Sequence, residues 1–309
     1  MSFWKKASPV DLAVFHEFAP PPTGGGHQFM RALCAEFEKC GLRLEYNQLS
    51  KGTPNCLCNS FNFDLKKLRR SLKKHPEVHC VHRVDGPLQT YRGFDDGTDA
   101  QISSFNREFA DVTVVQSTFS QQKHLELGMS AVQPVLIGNT PDPSLFHRSG
   151  KIPFETNRKV RILSSSWSDN PNKGLAIYQW IDQNLDFDRV DYTFVGRLQA
   201  ELTQIRHLDP MPSEPLADLL RQQDIYLTAS RHDPCSNSLV EAMACGLPVL
   251  YLNSGGHAEL AGEAGIPFEN AEEIPQKLDQ LISEYAERQA QICITPITEI
   301  ADKYMALFR

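Results

Sequence analysis

Two acids, Asp233 and Glu241, stand eight positions apart with Ser236, Asn237 and Ser238 between them, inside the stretch SRHDPCSNSLVEAMACGLPVLYLNSGGHAEL from Ser230 to Leu260. Ser and Asn at that place favour a helix start, where free backbone N–H groups and the helix dipole attract an anion. Gly246 and Pro248 stop the predicted helix, and the apolar run Val249-Leu250-Tyr251-Leu252 follows as a strand. An anion cradle beside two carboxylates suits a ligand bearing both phosphates and hydroxyls. Glu241 has a competing use, because Ser238-x-x-Glu241 is also a capping-box spacing in which the acid would bond backbone.

Three further groups could serve such a ligand. The loop SSSWSDNPNKG (Ser164–Gly174) presents Lys173 just before a predicted helix, where its charge can balance a departing diphosphate, although a lone Lys is usually a surface residue. Gly24, Gly25 and Gly26 form a turn between the first strand and first helix. They complete no Gly-x-Gly-x-x-Gly fingerprint, and a plain tight turn explains them too. His82-Arg83-Val84-Asp85-Gly86 ends a strand at the edge that lines ligand crevices in open α/β sheets, with a structural loop about equally plausible.

The longer pattern resembles the signature of retaining glycosyltransferases of family 4, which have the two-domain GT-B fold. Their Glu-x7-Glu motif is matched by Asp233 and Glu241. The segment Ala242-Met243-Ala244-Cys245-Gly246-Leu247-Pro248-Val249 and the turn Gly255-Gly256-His257-Ala258-Glu259 supply the motifs that follow it. Lys173-Gly174 matches the end of a Gly-Arg-Leu-x-x-x-Lys-Gly pattern whose Arg position is taken by Ser168, and Arg197 is a candidate for the missing charge.

The resemblance implies roles for these residues. Glu241 would hold the nucleotide ribose and Asp233 the hydroxyls of the donor sugar. Lys173 and the N–H groups near Ser236, Asn237 and Ser238 would hold the diphosphate. Gly25 and Gly26 would let backbone approach the phosphates, and His82 and Asp85 would contact sugar or acceptor. Asp233 is one methylene shorter than the family's Glu, which leaves the donor sugar open.

The implied activity is transfer of a sugar, with retention, from a UDP-, GDP- or ADP-sugar to a hydroxyl of a carbohydrate or lipid-linked acceptor. No cofactor is expected, and no metal, since no Asp-x-Asp motif occurs. One alternative is an epimerase or phosphorylase on the same fold, the latter requiring a pyridoxal-phosphate lysine that cannot be identified. Another is a non-catalytic nucleotide-sugar binder, motivated by Asp233 and Ser168.

These residues need a scaffold of alternating strands and helices. The order strand, helix, strand, helix implies parallel sheets. The expectation is an α/β protein of the GT-B type, with two Rossmann-like domains facing across a cleft. Residues 1–145 form the acceptor side and 146–294 the nucleotide-sugar side. The linker lies in Asn139–Gly150, and a helix in 295–309 packs back on the first domain through Ile297, Ile300, Ala301, Tyr304, Met305 and Phe308.

Composition fits this. A chain of 309 residues with 41% hydrophobic and 22% charged residues describes a globular protein of two ordinary domains. A net charge of −7 argues against nucleic acid as the main partner. One region is basic: LKKLRRSLKKH sets Lys66, Lys67, Arg69, Arg70, Lys73 and Lys74 around a stripe of Leu65, Leu68 and Leu72. A solvated face is the better reading, and peripheral membrane contact through Lys66–Lys74 is the sharper one.

No apolar run approaches the roughly 20 residues of a membrane span, and the N-terminal patch is too short for a signal peptide, so a cytoplasmic protein is expected. The cysteines are scattered. Cys56 and Cys58, with Cys80 and His79, lack zinc-ligand spacing and read as reduced structural thiols.

Overall fold

The computed structural model describes residues 10–19, 24–61 and 63–309. Pro20–Thr23, the front of the expected proline–glycine loop, and residues 1–9 of the expected first domain lie outside the described residues.

Among the described residues twelve strands form two parallel sheets of six. The first sheet contains β1 (Leu12–Phe15), β2 (Leu44–Tyr46), β3 (Asn55–Asn59), β4 (His79–Val84), β5 (Val112–Val115) and β6 (Pro134–Leu136), in the order β2-β1-β3-β4-β5-β6. The second contains β7 (Val160–Ser166), β8 (Val190–Gly196), β9 (Arg206–Leu208), β10 (Ile225–Thr228), β11 (Val249–Leu252) and β12 (Gly265–Phe268), in the order β12-β11-β10-β7-β8-β9. Helices cover both faces, so central strands such as β3 (NCLCN) and β4 (HCVHRV) are buried along their whole length.

In each sheet the strand order reverses once, between β1 and β3 and between β7 and β10. Crossovers leave in opposite directions there, opening a crevice beyond the carboxyl ends of the strands. The two crevices face one another.

The helix Gly25–Lys39 buries Phe29, Met30, Leu33 and Phe37 on the first sheet. The final helix, Ile297–Met305, follows the second sheet in sequence yet joins the core of the first. Ile297, Ile300, Ala301 and Tyr304 cluster with Leu12, Val14, Phe29 and Phe37. Its end is tied down by Arg309 N–H donating to Asn55 Oδ1 at 2.8 Å.

The edge strands β9 and β12 and the helices Leu88–Arg92, Ser213–Arg221 and Ile274–Ser283 were not anticipated from sequence. β9 is three half-exposed or exposed residues, Arg206-His207-Leu208, with neither alternation nor an apolar run to announce it.

Candidate functional site

The crevices enclose a cleft of about 520 Å³, lined from the first unit by residues that include His16, His27, Asn59 and Asp85, and from the second by Lys173, Asp233, Asn237 and Glu241. A smaller hollow of about 290 Å³ beside the linker is lined mainly by apolar residues such as Phe146, Met243 and Ile297, with Arg148 its one charged lining residue. The chemistry-bearing side chains are in the larger cleft.

On the second-unit wall, a 3-10 turn Pro171–Lys173 aims Lys173 into the cleft, and Gly174 at φ +89° follows it. An added Cβ at Gly174 would fall 2.5 Å from Ala229, so glycine is required by both conformation and space. Lys173 Nζ donates to Asp233 Oδ2 at 2.8 Å, and Cys235 N–H donates to Asp233 Oδ1 at 3.2 Å. Burial alone would raise the pKa of Asp233. Lys173 and His257 outweigh it and hold the carboxyl ionised, below its ordinary value.

The helix Asn237–Ala244 starts where its sequence predicts. Ser236 occupies the N-cap position, but no side chain caps the first N–H groups. Glu241 lies one turn along. Its side chain is buried and hydrogen-bonds nothing among the described residues, and Ser238 is already inside the helix, so the capping-box use of this acid does not occur. Burial pushes the Glu241 carboxyl up to about 8.

The first-unit wall approaches closely. The helix Gly25–Lys39 also begins without a side-chain cap among the described residues. A Cβ on Gly25 would lie 2.3 Å from Asn237 Cβ, so this glycine lets the starts of two helices, one from each unit, meet. Gly26 has open space around it. Two helix starts and Lys173 thus turn hydrogen-bond donors toward the cleft.

Asp85 also lines the cleft. It accepts from Arg83 Nη1 at 3.0 Å and from Gln116 Nε2. Arg83 is fully buried, with its guanidinium 5.0 Å from the Phe29 ring, and reaches Asn59 Oδ1 and Asn139 Oδ1. Asn139 Nδ2 continues to Asn237 Oδ1 at 3.0 Å, carrying the network into the second unit.

Two expected site residues fall elsewhere. His82 is fully buried away from the cleft: Nε2 is paired with Ser60 O at 3.1 Å, Nδ1 accepts from Asn106 Nδ2 at 3.1 Å, and Phe105 lies against the ring. Side chains alternate along a strand, so a strand that turns Arg83 and Asp85 one way turns His82 the other. Arg197 is exposed and stacks on Trp167 at 4.6 Å without lining the cleft. Ser168 does line it, with its hydroxyl accepting from Asn170 N–H at 3.2 Å.

Sequence reasoning missed His16, His27, Asn59 and Trp167. The first three are linked: Asn59 Nδ2 lies 3.0 Å from His16 Nδ1, and His16 Nε2 lies 2.9 Å from His27 Nδ1. Burial, then the neighbouring His27, push His16 down to about 3, and burial lowers His27 also.

Among the described residues no cluster of three or more His, Cys, Asp or Glu is placed to hold a metal ion. Cys58 and Cys80 are buried thiols 4.0 Å apart in the first sheet. No helix is long and apolar enough to cross a membrane among those residues. On the basic helix Leu65–Lys74, Arg69 and Lys73 pair with Glu108, leaving Lys66, Arg70 and Lys74 exposed on its outer face.

Residues 180–284 match the family model described as Glycosyl transferases group 1, a span that includes Asp233, Glu241 and Glu259. No curated protein matches the chain. Among solved structures, sucrose-phosphate synthase from Thermosynechococcus elongatus superposes with a TM-score of 0.70 at 15% identity, covering 97% of this chain and 95% of that one. The catalytic domain of starch synthase IV from Arabidopsis thaliana, bound to ADP and acarbose, gives 0.70 at 12% identity, with 97% and 99% covered. HepE from Anabaena, in complex with UDP-glucose, gives 0.66 at 16% identity, with 96% and 95% covered. The fold is therefore the GT-B fold of these glycosyltransferases.

Proposed function

We propose that the protein is a retaining glycosyltransferase that moves a hexosyl group from a nucleoside diphosphate sugar to a hydroxyl of a carbohydrate or lipid-linked acceptor. In this reading residues 146–294 hold the nucleotide and residues 1–145 the acceptor, with 295–309 fastening the two together. The observation that carries the reading is Glu241, a buried acid lining the cleft with no protein partner among the described residues, beside Lys173 and two uncapped helix starts. A carboxyl that faces the cleft and that no protein group hydrogen-bonds offers acceptor oxygens to hydroxyl donors, which a ribose supplies. The match to Glycosyl transferases group 1 and the UDP-glucose and ADP bound by structural neighbours favour the same ligand class.

Lys173 would move from Asp233 to the diphosphate, or bridge both, as negative charge develops on the leaving group. Asp233, kept ionised, would accept from hydroxyls of the donor sugar. The acceptor hydroxyl would attack from the face the diphosphate leaves, its proton passing to a leaving-group oxygen. Lys66, Arg70 and Lys74 would suit an anionic membrane surface if the acceptor is lipid-linked.

A thermal-shift screen with UDP-, GDP- and ADP-sugars tests the reading. A donor at 100 times its Kd stabilises the protein by about 2.7 kcal/mol. Lys173→Ala should cut donor hydrolysis by about 10²–10³-fold while the protein stays folded. No shift with any donor overturns the reading. A shift without turnover on any acceptor leaves a non-catalytic nucleotide-sugar binder.

A further inference from the structure

The linked pair His16 and His27 defines the protonation of a cleft residue. Arg83 Nη1 donates to one end of the Asn59 amide. A guanidinium cannot accept, so that end is the oxygen and the other, facing His16, is the Nδ2 amino group. His16 Nδ1 must then accept, which leaves its single proton on Nε2, 2.9 Å from His27 Nδ1. His27 Nδ1 accepts in turn, and its own proton resides on Nε2.

Each member is fixed in place. His16 is buried and its backbone is clamped by Asn47, whose Oδ1 accepts from His16 N–H at 3.1 Å and whose Nδ2 donates to His16 O at 2.7 Å. Phe18 packs edge-on against the His16 ring. Adding a proton to His16 Nδ1 would set N–H against N–H, and burial already drives this imidazole to the neutral form. His27 sits in the first turn of the helix Gly25–Lys39 and lines the cleft. No group that this site assigns to the nucleotide requires it.

We propose that His27, locked by Arg83, Asn59 and His16 with its proton on Nε2, donates a hydrogen bond to a hydroxyl oxygen of a sugar acceptor in the first-unit half of the cleft. His16 and Asn59 are positioning residues for it. The inference rests on the cleft being a nucleotide-sugar site and adds the acceptor class and the direction of the hydrogen bond. A locked Nε2–H cannot take the acceptor's proton, so His27 orients the acceptor and is not its base.

The test uses the protein with UDP-glucose or ADP-glucose, whichever shifts its melting, and p-nitrophenyl α- and β-glycosides as acceptor probes. In ¹⁵N-histidine spectra, the resonances lost in His27→Gln should be of the unprotonated type at Nδ1 and the protonated type at Nε2. His16→Phe should release that preference in His27. His27→Phe should raise the acceptor KM by about 3–10-fold, the worth of one neutral hydrogen bond, and leave nucleotide affinity within about twofold. His27→Gln, whose amide nitrogen replaces Nε2–H, should recover most of that loss.

A proton on Nδ1 of His27, or an unchanged acceptor KM in His27→Phe, overturns the proposal while nucleotide binding still upholds the donor site. Donor hydrolysis without transfer to any glycoside overturns the sugar-acceptor assignment alone. Absence of any nucleotide shift overturns the underlying reading as well.

Discussion

On the first-unit wall of the cleft, Arg83, Asn59, His16 and His27 form a continuous hydrogen-bonded series, and Asp85 is held by Arg83 and Gln116. On the second-unit wall, Glu241 is buried without a partner among the described residues, and Lys173 and Asp233 neutralise one another. One wall is largely bonded before a ligand arrives, with Arg83 Nε a buried atom left without a partner among the described residues, and the other is left wanting a ligand. A bonded network holds its geometry, whereas an acid at the cleft wall that no protein group hydrogen-bonds offers its oxygens to the hydroxyls of a ligand. Binding energy should therefore come mainly from the second wall, and alignment from the first.

The largest effect should follow from cutting the bonded wall at its centre. Arg83→Met removes the one cation that links Asn59, Asp85 and Asn139, and leaves buried acceptors unpaired. Urea denaturation should show a loss of about 3–5 kcal/mol. If the variant is as stable as the parent, the network is not what holds this wall, and the contrast between the walls fails.

The second wall should respond in the opposite sense. Glu241 is pushed up to about 8 by burial, from an ordinary value of 4.5. The folded protein therefore holds a proton that the unfolded chain has lost across that window. Stability is at its fullest below about pH 4.5 and declines as pH rises toward about 8. Glu241→Gln has no charge to bury, so it should flatten that dependence and stabilise the empty protein by about 1–3 kcal/mol at pH 8.

The same substitution should weaken nucleotide binding by about tenfold or more, because hydrogen bonds to an ionised acid are the stronger kind. Parent affinity should climb as pH rises to about 8, with proton release on binding visible by calorimetry in buffers of different ionisation enthalpy. A variant that loses affinity and also loses stability would place Glu241 among the structural acids.

The sequence disclosed these walls unequally. Asp233, Ser236 and Glu241 are contiguous with the helix they start or ride on, so local spacing located them, and Lys173 was legible from its loop. The first wall is non-local. His16 follows a strand and His27 lies in the first turn of a helix, and the fold brings the two rings to 4.7 Å. Asn59 arrives from a strand further along the chain, and nothing in its neighbours marks it. His82 drew attention by residue type, yet the alternation of strand β4 already assigned Arg83 and Asp85 to a common face and His82 to the opposite one. Edge strand β9 was obscured by exposure and short length, and β12, Gly-Ile-Pro-Phe, by its four-residue length and by a glycine and a proline that break the strand pattern.

The smallest effect belongs to a contact that joins the units outside the cleft. Glu259, at the end of the Gly-Gly turn, accepts from Thr118 N–H at 2.8 Å and Phe119 N–H at 3.0 Å. An acid of the second unit thereby caps the helix Thr118–Glu126 of the first, alongside that helix's own cap, Ser117 Oγ, which accepts from Ser120 N–H at 3.0 Å. Capping and the helix dipole both favour an acid here, but Glu259 is exposed, so water and salt compete. Glu259→Ala should lower stability by only about 0.5–1 kcal/mol, with much of the difference lost at 1 M salt. Denaturation at low and high salt measures both. A loss several times larger, or one indifferent to salt, would mean that the meeting of the two walls depends on this exposed cap more than on the buried Arg83–Asn139–Asn237 connection, reversing the order in which the two contacts hold the cleft closed.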